Sequence, residues 1–482
     1  MAEAGTAQKS TGEDVGSDYH DKRQLQQGAA GWVLLAGLGV AYVISGDFAG
    51  WNFGLAEGGW GGLLIATILV ATMYSCIVFS VAELSSAIST AGGGYGFARR
   101  ALGVWGGFLT GTAILIEYAM APAAIVVFIG GYVESLDVFG ITSGWPVYLA
   151  FYAIFVGVHL LGVGEALKVM FVITAIAVVA LLVFVVSMIP EFSTSNLTDI
   201  KPDPGKAGSS EFLPFGWQGI WAAFPFAIWF FLAVEGVPLA AEETRDPKKD
   251  MPRGLIGAML ILLVFAAAIL LSAPGGGGAD AIKASDNPLP AAISEAYGGG
   301  TFLGDLVNYV GLAGLVASFF SIIFAYSRQL FALSRAGYLP RMLSVTNRRK
   351  TPTIALIVPG LIGFLLAAVT EDGATLINIA VFGATVSYVL MLGSHLVLRR
   401  REPDLERPYR TPGGTLTTGL GLVLACAAVV ATFFVDEKAA VITAAIFAAL
   451  LAYFWFHSRH HLVSNAPEEE FSAVESAESE LS

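Results

Sequence analysis

The run Ile44-Ser45-Gly46-Asp47-Phe48-Ala49-Gly50-Trp51-Asn52 puts a hydroxyl, a carboxylate and two glycines near the middle of a long apolar segment. Each is costly there. Glycine exposes backbone and loses the most conformational entropy on entering a helix. An aspartate at membrane depth costs about 3 kcal/mol on insertion scales. A segment that only anchored the chain would carry neither. The chemistry open to this combination is binding. A helix that breaks here frees amides around Ser45 and Gly46, and Asp47 attracts a cation; the rival reading of Asp47 is a structural carboxylate paired with a polar neighbour.

A second run, Trp229-Phe230-Phe231-Leu232-Ala233-Val234-Glu235-Gly236, sits in a later apolar segment between Pro225 and Pro238. Glu235 reads as a network carboxylate or as a proton-sensing or gating group. Trp229 and Phe231 read as packing or as faces for an ammonium, a contact worth about 0.5–2 kcal/mol. Glu117 and Tyr118 stand in a third segment, where a glutamate faces protein or water rather than lipid; structural pairing and a substrate or gate role both fit. Ser318 and Ser321 could serve a substrate hydroxyl or bond their own backbone. Trp51 reads as an interfacial residue or as part of the entrance to the site.

These residues need elements to hold them. The chain has 482 residues, 55% hydrophobic and 13% charged, against about 25% charged in soluble domains. Twelve apolar segments are predicted at 29–57, 62–84, 105–133, 146–162, 167–189, 217–241, 254–273, 303–334, 352–370, 373–398, 415–435 and 439–457. Each is long enough to cross a bilayer as a helix. The expected fold is therefore an all-α polytopic membrane protein. A polar tail over 1–28 and an acidic tail over 458–482 flank the twelve-helix region at 29–457. The stretches 190–216 and 274–302, rich in Gly, Pro, Ser and Asp, read as loops.

Charge orients the spans. With a cytoplasmic N-terminus, 22 of the 26 basic residues fall on the inside, leaving Lys201, Lys206, Lys283 and Lys438 outside. Cytoplasmic loops carry such an excess, so both termini are expected in the cytoplasm. The net charge of −12 owes much to the C-terminal tail and says little about partners. No metal-ligand pattern, nucleophilic triad or basic nucleic-acid surface is present, and no cofactor is expected. The glycine-rich run at 92–96 lacks the Lys-Ser/Thr of a phosphate loop. It suits a turn at the membrane face, with Arg99 and Arg100 among lipid phosphates.

The stretch from Ala82 to Gly103 resembles the signature after helix 2 of the amino acid–polyamine–organocation (APC) superfamily of transporters. Ala241-Glu242-Glu243-Thr244-Arg245-Asp246-Pro247 is similar to the segment after helix 6. Ser327 to Pro340 resembles the end of helix 8, and Arg407-Pro408-Tyr409-Arg410-Thr411-Pro412 the loop before helix 11. The run Ile44 to Leu55 is most similar to the ethanolamine permease subgroup. The resemblance implies a five-plus-five inverted repeat, with helices 1 and 6 broken at the midplane and helices 11 and 12 outside it. It implies a secondary transporter of the inner or plasma membrane, working by alternating access. Relatives use the first break chiefly to bind a substrate carboxylate with bare amides. Asp47 would repel that group and attract an ammonium, so ethanolamine or a close amino alcohol is the expected substrate. Trp229 aligns with a bulky gate of related transporters, and Ala177 stands where some proton-coupled relatives carry a lysine. Proton symport, exchange and facilitated diffusion stay open. An amino acid or polyamine permease is the alternative, and a membrane sensor using the same pocket is a further one.

Overall fold

The computed structural model describes residues 28, 30–88, 92–136, 140–298 and 302–463; the side chains of 163–167 and 303–305 are not described. Most of both predicted tails lies outside these residues, as does part of the glycine-rich signature. Among the described residues there is no strand, only two isolated bridges. Among the described residues ten helical segments are long and apolar enough to cross a membrane, and two shorter apolar helices, Trp32–Val43 and Trp145–Leu160, bring the spans described to twelve.

The first span is Trp32–Val43 and Ser45–Phe48, followed by non-helical residues 49–52. The interruption lies one turn later than Ser45-Gly46. Helix resumes in Phe53–Ala87, but Gly59 (φ 65°) divides it into the short outer half of span 1 and span 2. Likewise Gly103 (φ 78°) divides Gly93–Ser135 into a short surface helix and span 3. Span 4 is Trp145–Leu160 and span 5 Val163–Met188. Span 6 is Gly216–Ala222, Phe224–Trp229 and, after a turn, the 3₁₀ helix Val234–Glu243. Spans 7 to 10 are Pro247–Gly277, Phe302–Arg335, Thr353–Thr370 and Gly373–Arg401. Spans 11 and 12 are Thr415–Val435 and Glu437–Phe456.

The packing repeats with a shift of five. Span 1 packs on span 7 as span 6 packs on span 2, and span 3 packs on span 10 as span 8 packs on span 5. Spans 4 and 9, 2 and 7, and 3 and 8 pack on each other, so the exchange maps each pair onto itself. Five is odd, so the second set enters from the opposite side, which makes the repeat inverted. Spans 11 and 12 lie outside it against span 10.

Two expectations change. The predicted loops at 190–216 and 274–302 contain short helices, Thr194–Leu197, Ala279–Ile282 and Pro288–Tyr297, the last begun by its own proline. Arg100 does not rest among lipid phosphates. Its guanidinium forks onto Glu402 at 2.5 and 3.0 Å, because a carboxylate matches the guanidinium in two-point geometry where a mobile headgroup does not.

Candidate functional site

The two broken spans cross at their breaks. A Cβ built on Gly46 would overlap the carbonyl oxygen of Trp229, so only glycine lets the backbones approach this closely. The Trp229 indole nitrogen donates to the carbonyl of Ala49 at 3.0 Å, tying span 6 to the unwound stretch of span 1. Trp51 is wholly buried and stacks on Phe230, with centroids 5.6 Å apart. It is therefore not interfacial: the unwound backbone turns its indole inward. Asn52 holds the far side of the break, its amide donating to the carbonyls of Ile282 and Ser285 at 2.8 Å.

Ser318 of span 8 serves the junction at Ile44, where Trp32–Val43 gives way to Ser45–Phe48 ahead of the break. Its hydroxyl lies 2.7 and 2.9 Å from the carbonyls of Ala41 and Tyr42 and accepts from the amide of Ser45 at 3.1 Å. Backbone groups freed from a helix must find partners where water is absent, and here a side chain from another span supplies them. The Ser321 hydroxyl bonds its own helix at the carbonyls of Ala317 and Ser318.

Asp47 is fully buried, and neither carboxylate oxygen has a hydrogen-bond partner. Among the described residues no salt bridge or hydrogen bond engages it. An isolated buried carboxylate is among the most expensive groups a fold can hold, so it marks a place where a proton or a cation belongs.

A separate polar cluster forms on spans 2, 3, 6 and 10. Glu117 and Glu235 are buried neighbours, and the Tyr118 hydroxyl donates to Glu235 at 3.5 Å. Tyr74 and Tyr388 pair hydroxyl to hydroxyl at 2.6 Å and lie beside both carboxylates. Phe231 packs against Tyr74, centroids 5.5 Å apart. Both Glu117 oxygens and one of Glu235 lack a hydrogen-bond partner. The span 6 backbone reaches this cluster through Ala233, whose φ of 78° lies in the left-handed region that side chains avoid.

The predicted residues therefore divide. Ser45, Gly46, Asp47, Trp229 and Ser318 gather at the crossing of the breaks. Tyr118, Phe231, Glu117 and Glu235 gather in the tyrosine cluster, and Ser321 stands apart on span 8. Tyr74 and Tyr388 were missed because a span tyrosine reads as packing; only the partner hydroxyl 314 residues away gives it a role.

The arginine-bearing end is tied by buried ion pairs. Arg328 and Glu243, both buried, meet at 2.8 Å, and Arg335 meets Glu242 at 2.5 Å, joining span 8 to span 6. Glu83 accepts from Arg399 at 2.5 Å and from the amide of Thr411 at 2.7 Å, with Arg407 at 3.1 Å and His395 at 3.2 Å. Among the described residues no group of three or more His, Cys, Asp or Glu is placed to hold a metal ion.

A family model for amino acid permeases matches residues 33–465. An uncharacterized transporter of Rhizobium meliloti is 28% identical over 433 residues, covering 88% of this chain and 90% of the relative. The branched-chain amino acid permease BcaP of Bacillus subtilis is 25% identical, covering 75% and 79%. The methylthioribose transporter of Bacillus subtilis is 24% identical, covering 77% and 79%.

Proposed function

The chain belongs to the amino acid permease family, and on that premise we propose that its substrate is a small ammonium-bearing solute, ethanolamine or a close amino alcohol. Membership makes it an integral membrane transporter of amino acids or related compounds rather than an enzyme. The finer reading rests on one observation: a buried carboxylate without a hydrogen-bond partner among the described residues, Asp47, in the short helix Ser45–Phe48 that leads into the first break. In this reading Asp47 holds the ammonium, and Trp229 closes over the bound solute. A backbone amide near the break serves the hydroxyl, since the Ser45 amide and the Ser318 hydroxyl already bond each other. An amino acid would bring its own carboxylate against Asp47, and among the described residues no basic side chain pairs with Asp47 to offset the repulsion. One relative is a methylthioribose transporter, and methylthioribose carries no carboxylate. Family membership thus does not require one.

Transport would proceed by rocking of spans 1 and 6 with their partners against the remaining scaffold. Glu117 and Glu235 are the candidates for proton sensing. Two buried carboxylates side by side repel when both are charged, and a proton on one relieves this. Both termini would lie in the cytoplasm of a cell whose inner or plasma membrane holds the protein.

The second reading is an amino acid permease, favoured by the name of the BcaP relative. Uptake of labelled ethanolamine into liposomes holding purified protein separates the two. Excess unlabelled ethanolamine should abolish the signal and equal serine or glycine should leave it intact. Equal competition by serine would replace the amine reading with the amino acid one.

A further inference from the structure

A cavity of about 630 Å³ opens at the end of the molecule opposite the arginine-rich one. Its walls are the outer half of span 1, the outer half of span 6 with the loop before it, and the end of span 11. The lining is mixed. Glu57 and Lys206 supply opposite charges, Gln218 an amide, and Trp221, Val430 and Phe434 an apolar wall. Phe434 and Val430 expose 75% and 55% of their surfaces. Apolar side chains exposed on a transmembrane span face acyl chains, so the cavity mouth opens sideways into lipid. Its charged end lies beside the Gly59 turn that ends span 1, and its wall runs to Val435, just before Asp436 where span 12 begins.

Both charged side chains are exposed at the cavity. Glu57 and Lys206 line one cavity yet form no ion pair, and no hydrogen bond or ion pair engages the Glu57 carboxylate among the described residues. Among the described residues the Lys206 ammonium donates only to Gln218, at 3.4 Å. Two unpaired opposite charges above an apolar wall complement a molecule with both charges at its head and a hydrocarbon tail. We propose that this cavity binds a phospholipid whose headgroup carries both a primary ammonium and a phosphodiester. Glu57 receives the ammonium, Lys206 the phosphodiester, and one acyl chain lies along Val430 and Phe434. The indole of Trp221 offers the ammonium a second, cation–π contact.

The site also has a lever. Gly58 packs so closely on Gly219 that a Cβ on the former would stand 2.5 Å from the carbonyl oxygen of the latter. The outer halves of spans 1 and 6 are thereby joined as one unit. A lipid seated between that unit and span 11, which lies outside the repeat, bears on the element that moves in transport. The binding claim itself holds whichever solute the protein carries.

The test measures bound lipid directly. Delipidated protein in detergent is mixed with equal amounts of phosphatidylethanolamine and phosphatidylglycerol of matched chains, and retained lipids are counted by native mass spectrometry. The headgroups share the phosphodiester and differ in the ammonium. Wild type should prefer phosphatidylethanolamine by about fivefold or more, the size of one charge-assisted contact. Glu57→Gln should bring the ratio to one, and Lys206→Gln should lower retention of both lipids. The ratio within one sample does not depend on how much protein is folded. Equal retention by wild type, or an unchanged ratio in Glu57→Gln, would overturn the proposal.

Discussion

Asp47 and Ser318 show how differently two buried polar side chains can be used. Ser318 is fully engaged. Replacing it with Ala leaves the Ser45 amide without a partner, at a cost of about 1–3 kcal/mol. Ser318→Ala should therefore lower the melting temperature of the purified transporter and reduce uptake together. Asp47 makes no such bond, so the opposite pattern is expected. Asp47→Asn should raise the apparent KM for ethanolamine at least tenfold, or about 1.4 kcal/mol, while the melting temperature holds or rises because a buried charge has gone. Unchanged uptake affinity in that variant would remove Asp47 from the substrate site.

At the scale of elements, the two breaks are kept by different means. Span 1 is held by borrowed partners, Ser318 at the Ile44 junction and Trp229 and Asn52 at the stretch unwound after Phe48. Span 6 turns through Ala233 in a left-handed conformation that costs an L-residue about 1–2 kcal/mol. Ala233→Gly relieves that strain and should raise the melting temperature. If it leaves the temperature unchanged or lowers it, the strain is not stored there. The crossing itself depends on Gly46. Gly46→Ala sets a methyl against the Trp229 carbonyl, so transport should be lost even where the protein still inserts, which uptake per molecule of purified protein would reveal.

For the whole molecule, the ion pairs at the arginine-rich end tie spans 6 and 8 and close span 2 against span 10 and the loop before span 11. Removing one partner of a buried pair leaves a bare charge and costs about 3–5 kcal/mol. Arg328→Met should destabilise strongly, and Arg328→Met with Glu243→Gln should recover most of the loss in thermal melts. The proposed orientation has its own test. In intact cells a membrane-impermeant maleimide should label Lys438→Cys and spare Arg341→Cys. Labelling of the second alone would invert the assignment. Cys76 and Cys426 lie within spans and should stay silent.

The sequence by itself determined the spans, the two interrupted segments and which residues were too expensive to be idle. Hydropathy, glycine and buried charge are local quantities, and lipid enforces them without help from the rest of the chain. Asp47 and Glu235 could be singled out for that reason. The tertiary structure alone decided what those residues meet. The Ser318 hydroxyl at the first break, the Tyr74–Tyr388 pair beside the carboxylates, and Arg100 on Glu402 join residues roughly 270 to 310 positions apart. Trp51 turned inward for the same reason: which way a side chain faces at a break is set by the span that crosses it, and no local pattern carries that information.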